Sequence, residues 1–141
     1  MDRHATAVWK GNLKEGTGTL DAQSGSLKSL PYSFKARFED ASGKSGTNPE
    51  ELLAAAHAGC FAMQLSHFLA ENGTPADRLE AKAVVTLVQG KGITRSALML
   101  TGKVPGASEA DFSRLADKAK QECPMSKALG AIEITLDAKL V

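Results

Sequence analysis

Residues 48–73 constrain the fold more than any other part of the sequence. Thr47-Asn48-Pro49-Glu50-Glu51 has the makings of a helix start. Asn48 can cap, Pro49 takes the first helical position, and Glu51 stands where a capping-box carboxylate belongs. Asn72-Gly73-Thr74-Pro75 is a stop signal, so the spacing predicts one helix from Pro49 to about Glu71. Its middle, residues 54–63, is nearly uncharged and rich in small side chains. A helix that is apolar all round needs cover on every side. In a chain of 141 residues, a sheet on one side and a second subunit on the other would supply it.

The remaining sequence reads as short strands and two further helices. Residues 5–9, 16–20 and 32–38 are expected as strands, with residues 21–29 as a Gly- and Ser-rich loop. In the third, Tyr32, Phe34, Ala36 and Phe38 would share one face. Residues 79–89 and 93–104 form a hairpin turned at Gly90-Lys91-Gly92. Ser108 caps a second helix with Asp111 at its third position, and Phe112, Leu115, Ala116 and Ala119 make its apolar stripe. Cys123-Pro124 closes that helix and opens a short one running to about Leu129. Residues 132–140 alternate as a last strand. The expectation is a single α+β domain, 1–141, of mainly antiparallel strands packed on a long central helix and a shorter one.

Composition excludes several classes. The net charge of +1, with both signs interspersed, offers no basic surface for nucleic acid. Met1-Asp2-Arg3-His4 runs straight into alternating sequence, so no export leader is expected. No apolar stretch is expected to approach the roughly 20 residues that a membrane span needs. The cytoplasm is the expected location. Two cysteines are then reduced thiols, too few for a disulfide scaffold or an all-cysteine zinc site.

Those cysteines are the main chemical candidates. Cys60, in mid-helix, reads by position as core filler more than as a nucleophile, but Gly59 beside it permits close approach and makes it a candidate. Cys123 stands at the start of the Pro124 segment, where backbone N–H groups favour a thiolate, and it reads equally as a cap. Ser126 and Lys127 lie in that segment's first turn. The two thiols are too far apart in sequence for a C-x-x-C motif, but they meet if the two helices pack together. A cofactor-free peroxidase needs one thiolate to attack the O–O bond and a second thiol to condense with the sulfenic acid. It also needs a cation, which Arg37 would provide, and a carboxylate to orient that cation, for which Glu50 is the better placed. Glu50 also reads as ordinary helix-dipole compensation. Ten residues of helix put Glu50 about 15 Å from Cys60, so a shared site would take Glu50 from the other subunit of a symmetric dimer. A Cys60–His57 pair for acyl transfer lacks an orienting group and oxyanion donors, and His57, Cys60 and His67 as metal ligands lack a fourth, so His57 is expected as a helix residue with its imidazole hydrogen-bonded locally. Phe38, Phe61 and Met63 are candidate pocket walls.

The segment from Gly46 to Phe61, reading GTNPEELLAAAHAGCF, resembles the signature of the osmotically inducible protein C and organic hydroperoxide resistance family (OsmC/Ohr). Cys123-Pro124-Met125-Ser126-Lys127-Ala128-Leu129 and Phe34-Lys35-Ala36-Arg37-Phe38 are similar to its other motifs, in the same order. The Ala-Ala-His form of the first motif looks closer to the OsmC branch; Gly59 stands where many relatives carry Ala. The resemblance implies an intertwined α+β homodimer with two interfacial sites and no metal or prosthetic group. It implies Cys60 as the peroxidatic thiolate, Cys123 as the resolving thiol, Arg37 as the group that lowers the pKa of Cys60, and Glu50 as the holder of Arg37. It further implies organic and fatty-acid hydroperoxides as substrates and a dithiol or lipoylated protein as reductant. Helix position alone favours Cys123 as the more acidic thiol. Two other functions fit the residues: a non-catalytic dimeric module that binds small apolar ligands with its thiols as redox sensors, and a Cys-His acyl hydrolase.

Overall fold

Alternation in the first residues produces a three-stranded antiparallel sheet. In a computed structural model describing residues 1–141, strands β1 (Ala5–Lys10), β2 (Thr17–Ala22) and β3 (Leu30–Ser33) lie in that order. The Asn12 side chain closes the first turn, accepting from the Lys14 and Glu15 N–H groups at 3.0 and 2.9 Å. Gly18 pairs with Trp9 on one side and Tyr32 on the other, and the two rings meet above it with centroids 5.3 Å apart. A Cβ there would stand 2.7 Å from Tyr32 Cζ and 2.8 Å from Trp9 Cε3, so the ring pair requires glycine.

The expected third strand is corrected by the structure. β3 stops at Ser33, and Lys35–Glu39 form one wide helical turn, closed by the Asp40 N–H donating to the Lys35 carbonyl at 3.0 Å. Phe34 and Phe38, expected on one strand face, instead stack across this turn with centroids 4.9 Å apart. A spacing of four suits a helical turn as well as a strand, and the Ser33 hydroxyl tips the balance by accepting from the Ala36 N–H at 3.1 Å.

Residues 1–49 form one compact unit and residues 50–141 another. In the second, helix α1 (Pro49–Glu71) begins and ends where its start and stop signals place it, and Gly73 beyond it takes a left-handed φ of 78°. Strands β4 (Arg78–Val88) and β5 (Gly92–Lys103) form the long hairpin, with a bulge at Thr86/Leu87. Helices α2 (Glu109–Glu122) and α3 (Pro124–Ala128) then cross over to β6 (Glu133–Leu140), which pairs with β5 in parallel. Ser108 caps α2, accepting from the Asp111 N–H at 3.1 Å. The sheet order is β4-β5-β6.

The core of this unit joins three apolar stripes. Phe61, Leu65, Phe68 and Leu69 of α1 meet Phe112, Leu115, Ala116 and Ala119 of α2 over Leu98 and Leu100 of β5. Gly102 admits Phe112, whose ring carbons lie 2.5 and 2.6 Å from where a Cβ would sit. The opposite side of α1 differs: Ala55, Ala56, Gly59 and Met63 are exposed. An 18-residue window of α1 has mean hydropathy 1.3, with only 28% of it buried. By length and composition α1 therefore reaches the membrane-span measure that no stretch was expected to approach. Its buried stripe makes it the core helix of this unit.

Candidate active site

Two helices bring the cysteines together. Cys60 sits on the fourth turn of α1, half-buried, while Cys123 is fully buried at the junction of α2 and α3. Although 63 residues apart, their sulfurs lie 2.8 Å from one another, with the Cys123 thiol donating to Cys60. Both are free thiols. A disulfide bond of about 2.05 Å needs only a further approach of well under 1 Å.

The junction also determines which sulfur the α3 N-terminus serves. Cys123 caps α3 without using its side chain as a cap. The N–H of Met125, in the first turn of α3, instead acts on Cys60, favouring its thiolate. Burial nevertheless pushes the Cys60 thiol above its usual pKa, while the Met125 N–H opposes the rise. Within its own unit, then, Cys60 is held protonated at neutral pH.

His57, one turn before Cys60, is not paired with it. The imidazole is wholly buried, with Nδ1 2.8 Å from Ser96 Oγ on β5 and Nε2 2.9 Å from Ser126 Oγ on α3. Both ring nitrogens are thus engaged by hydroxyls, and burial lowers the pKa of His57, keeping it neutral. This arrangement removes the Cys60–His57 nucleophile pair from consideration. His67 lies outside the thiol site and faces Glu71 at 3.5 Å on the surface. No group of three or more His, Cys, Asp or Glu side chains is placed to share an ion, so His57, Cys60 and His67 do not form a metal site.

Sequence reasoning passed over Ser96 and the Met125 N–H. Ser96 had a signal, because it shares the inward-facing positions of β5 with Leu98 and Leu100, and a hydroxyl there requires a partner. The Met125 contact had none, since it depends on how α3 docks.

Glu50 opens α1, and Arg37 lies in the wide turn of the first unit. The guanidinium stacks on Phe38 at 4.8 Å. It lines a cavity of about 260 Å3 with Trp9, Tyr32, Phe34 and Phe38. Just beyond, Asp40 gathers the Ser42 hydroxyl at 2.6 Å and the Ser42, Lys44 and Ser45 N–H groups at 2.9, 2.8 and 2.7 Å. These bonds, the Ser42 hydroxyl foremost, hold its carboxyl well below the usual range. Of the candidate walls, Phe38 lines the cavity, Phe61 is sealed in the core of the second unit, and Met63 is exposed.

The fold and the thiol pair define an α+β protein with a dithiol centre, poised for reversible disulfide formation. A sequence model described as OsmC-like protein matches residues 41–137. Over 99% of its length the chain is 45% identical to peroxiredoxin OsmC of Escherichia coli strain K12, covering 97% of that protein. It is 32% identical to an organic hydroperoxide resistance protein of Xanthomonas axonopodis pv. citri, covering 94% of this chain and 90% of that one. The crystal structure of an OsmC-like protein from Mycoplasma pneumoniae superposes with a TM-score of 0.76 at 17% identity, over 100% of this chain and 98% of that one. The chain belongs to the OsmC-like protein family, on its OsmC side.

Proposed function

We propose that this protein is a cysteine-based peroxidase that reduces organic hydroperoxides, fatty-acid hydroperoxides among them. The observation that carries this reading is the 2.8 Å separation of two free thiols, one half-exposed and one buried. The names of the relatives, a peroxiredoxin and an organic hydroperoxide resistance protein, support it. The Cys60 thiolate attacks one peroxide oxygen and the O–O bond breaks. Cys60 becomes a sulfenic acid, and the other oxygen leaves, with a proton, as the alcohol. Cys123 then condenses with the sulfenic acid, releasing water and forming the disulfide. An external dithiol, of lipoyl type in this reading, returns both thiols.

A thiol raised by burial requires a cation before it can attack. We assign that role to Arg37, with Glu50 orienting it. We further propose a homodimer in which the exposed apolar side of α1 is covered by a second copy, the two units of each chain serve one domain, and Glu50 comes from the partner subunit.

The test is thiol titration on rapid mixing of reduced protein with one equivalent of an organic hydroperoxide or of hydrogen peroxide. Fast loss of two thiols with the organic peroxide is expected. Cys60→Ser should abolish it, and Cys123→Ser should halt it at the sulfenic acid. Slow loss, indifferent to the oxidant and to which cysteine is removed, would replace this reading with a ligand-binding, redox-sensing module.

A further inference from the structure

The thiol contact is one of two rungs joining the same pair of segments. Cys60 follows His57 by three residues on α1, and Ser126 follows Cys123 by three on the α3 side. The His57–Ser126 bond of 2.9 Å and the Cys60–Cys123 contact of 2.8 Å therefore cross the same gap, about one helical turn apart. Their fates during turnover differ. The thiol rung is dismantled in each cycle, because oxidation puts a hydroxyl on the sulfur to which Cys123 donates. The imidazole–hydroxyl rung takes no part in the redox chemistry and lies out of water, with both partners buried. A second anchor at Ser96 ties His57 to β5 at 2.8 Å. The ring cannot swing away without leaving a buried nitrogen unpaired.

We propose that His57, held between Ser96 and Ser126, is a positioning residue for disulfide closure, keeping the Cys123 segment docked on α1 while Cys60 is a sulfenic acid. The proposal rests on the peroxidase reading above. A sulfenic acid has two fates. It condenses with the Cys123 thiol to give disulfide and water, or it takes oxygen from a second hydroperoxide to give sulfinic acid and alcohol. The first depends on how closely the resolving thiol is held, and the second on peroxide concentration. Loosening the rung should leave the first oxidation intact and divert the sulfenic acid toward the second fate.

Ser126→Ala removes the rung, Ser126→Thr keeps the hydroxyl, and His57→Asn, too short to reach across, is a second way to break it. Phe112→Leu is a core control outside the rung. Each reduced protein is treated with excess organic hydroperoxide, and the ratio of sulfinic acid to disulfide is read by mass spectrometry. Separately, each is equilibrated with glutathione, giving the effective concentration of one thiol at the other without any peroxide. Loss of one net hydrogen bond should raise the sulfinic-to-disulfide ratio about tenfold and lower the effective concentration by about the same factor. Ser126→Thr should restore both. Ser126→Ala and His57→Asn behaving like Phe112→Leu in both measurements would overturn the proposal. Failure of the peroxidase reading appears separately, as wild-type protein that keeps its thiols in hydroperoxide; the glutathione equilibrium then still decides the positioning role.

Discussion

Cys123 donates its thiol hydrogen to Cys60 across 2.8 Å, from a residue that also ends α2 and begins α3. The same short connection turns the Met125 N–H toward Cys60. The polar groups that act on the half-exposed sulfur therefore come from one junction, while burial has the largest effect on its pKa. That junction sets a second thiol beside Cys60 without bringing the Cys60 pKa down, which is why the proposed mechanism calls on a cation from elsewhere in the protein.

Arg37→Ala should raise the apparent pKa of Cys60. Burial already pushes the thiol up, so losing the proposed cation moves it further. A pKa higher by about one lowers the thiolate fraction at neutral pH about tenfold. Alkylation of Cys60 by iodoacetamide across pH 6–10 (about this range brackets the ordinary thiol), read by mass spectrometry, measures it. Superimposable profiles for wild type and variant would remove Arg37 from the site.

Acid should destabilise the fold through His57. Burial lowers its folded pKa below 6.5, so below that pH the unfolded chain takes up a proton that the folded chain refuses. Its contribution is intact above 6.5 and is lost as pH falls toward the folded value. One proton gives a slope of at most about 1.4 kcal/mol per pH unit. Urea unfolding at several pH values either side of this point should show the decline, and His57→Gln should flatten it. Equal slopes in the two proteins would assign the acid sensitivity elsewhere.

Gly102→Ala should cost about 1–3 kcal/mol, the range for overpacking a filled core. The new methyl meets the Phe112 ring at 2.5 Å. Adding Phe112→Leu should recover part of the loss, a non-additivity that a double-mutant cycle on thermal unfolding would read. Strict additivity would mean that the ring already sits elsewhere in solution.

Met63→Glu should separate the proposed dimer. Met63 is 77% exposed on the side of α1 that also carries Ala55, Ala56 and Gly59. A carboxylate there would be desolvated by any partner helix. Sedimentation should show dimer for wild type and monomer for the variant, with peroxidase activity falling in parallel. A wild-type monomer of full activity would dispose of both the dimer and the borrowed Glu50.

Much of this is legible in the sequence. The ends of α1 come from Pro49 and from Asn72-Gly73, and the Ser108 cap from its own side chain, because such signals are local. Cys60 and Cys123 stand out as residues, but their contact spans 63 positions, and only the family resemblance pairs them. The wide turn at Lys35–Glu39 escapes because Phe34 and Phe38 are spaced for either period and Ser33 decides between them. The direction of β6 is likewise hidden: alternation identifies a strand without saying which way its neighbour runs.

That direction has a consequence for how the protein is made. β6 joins β5 in parallel, and a parallel partner can be reached only by a crossover, here the one formed by α2 and α3 with Cys123 between them. Contacts so distant in sequence form late in folding. On an emerging chain, α1 and its Cys60 leave the ribosome long before the last strand can seat the second thiol. The contact between the two thiols, and with it any disulfide between them, therefore waits on that crossover in a newly made chain.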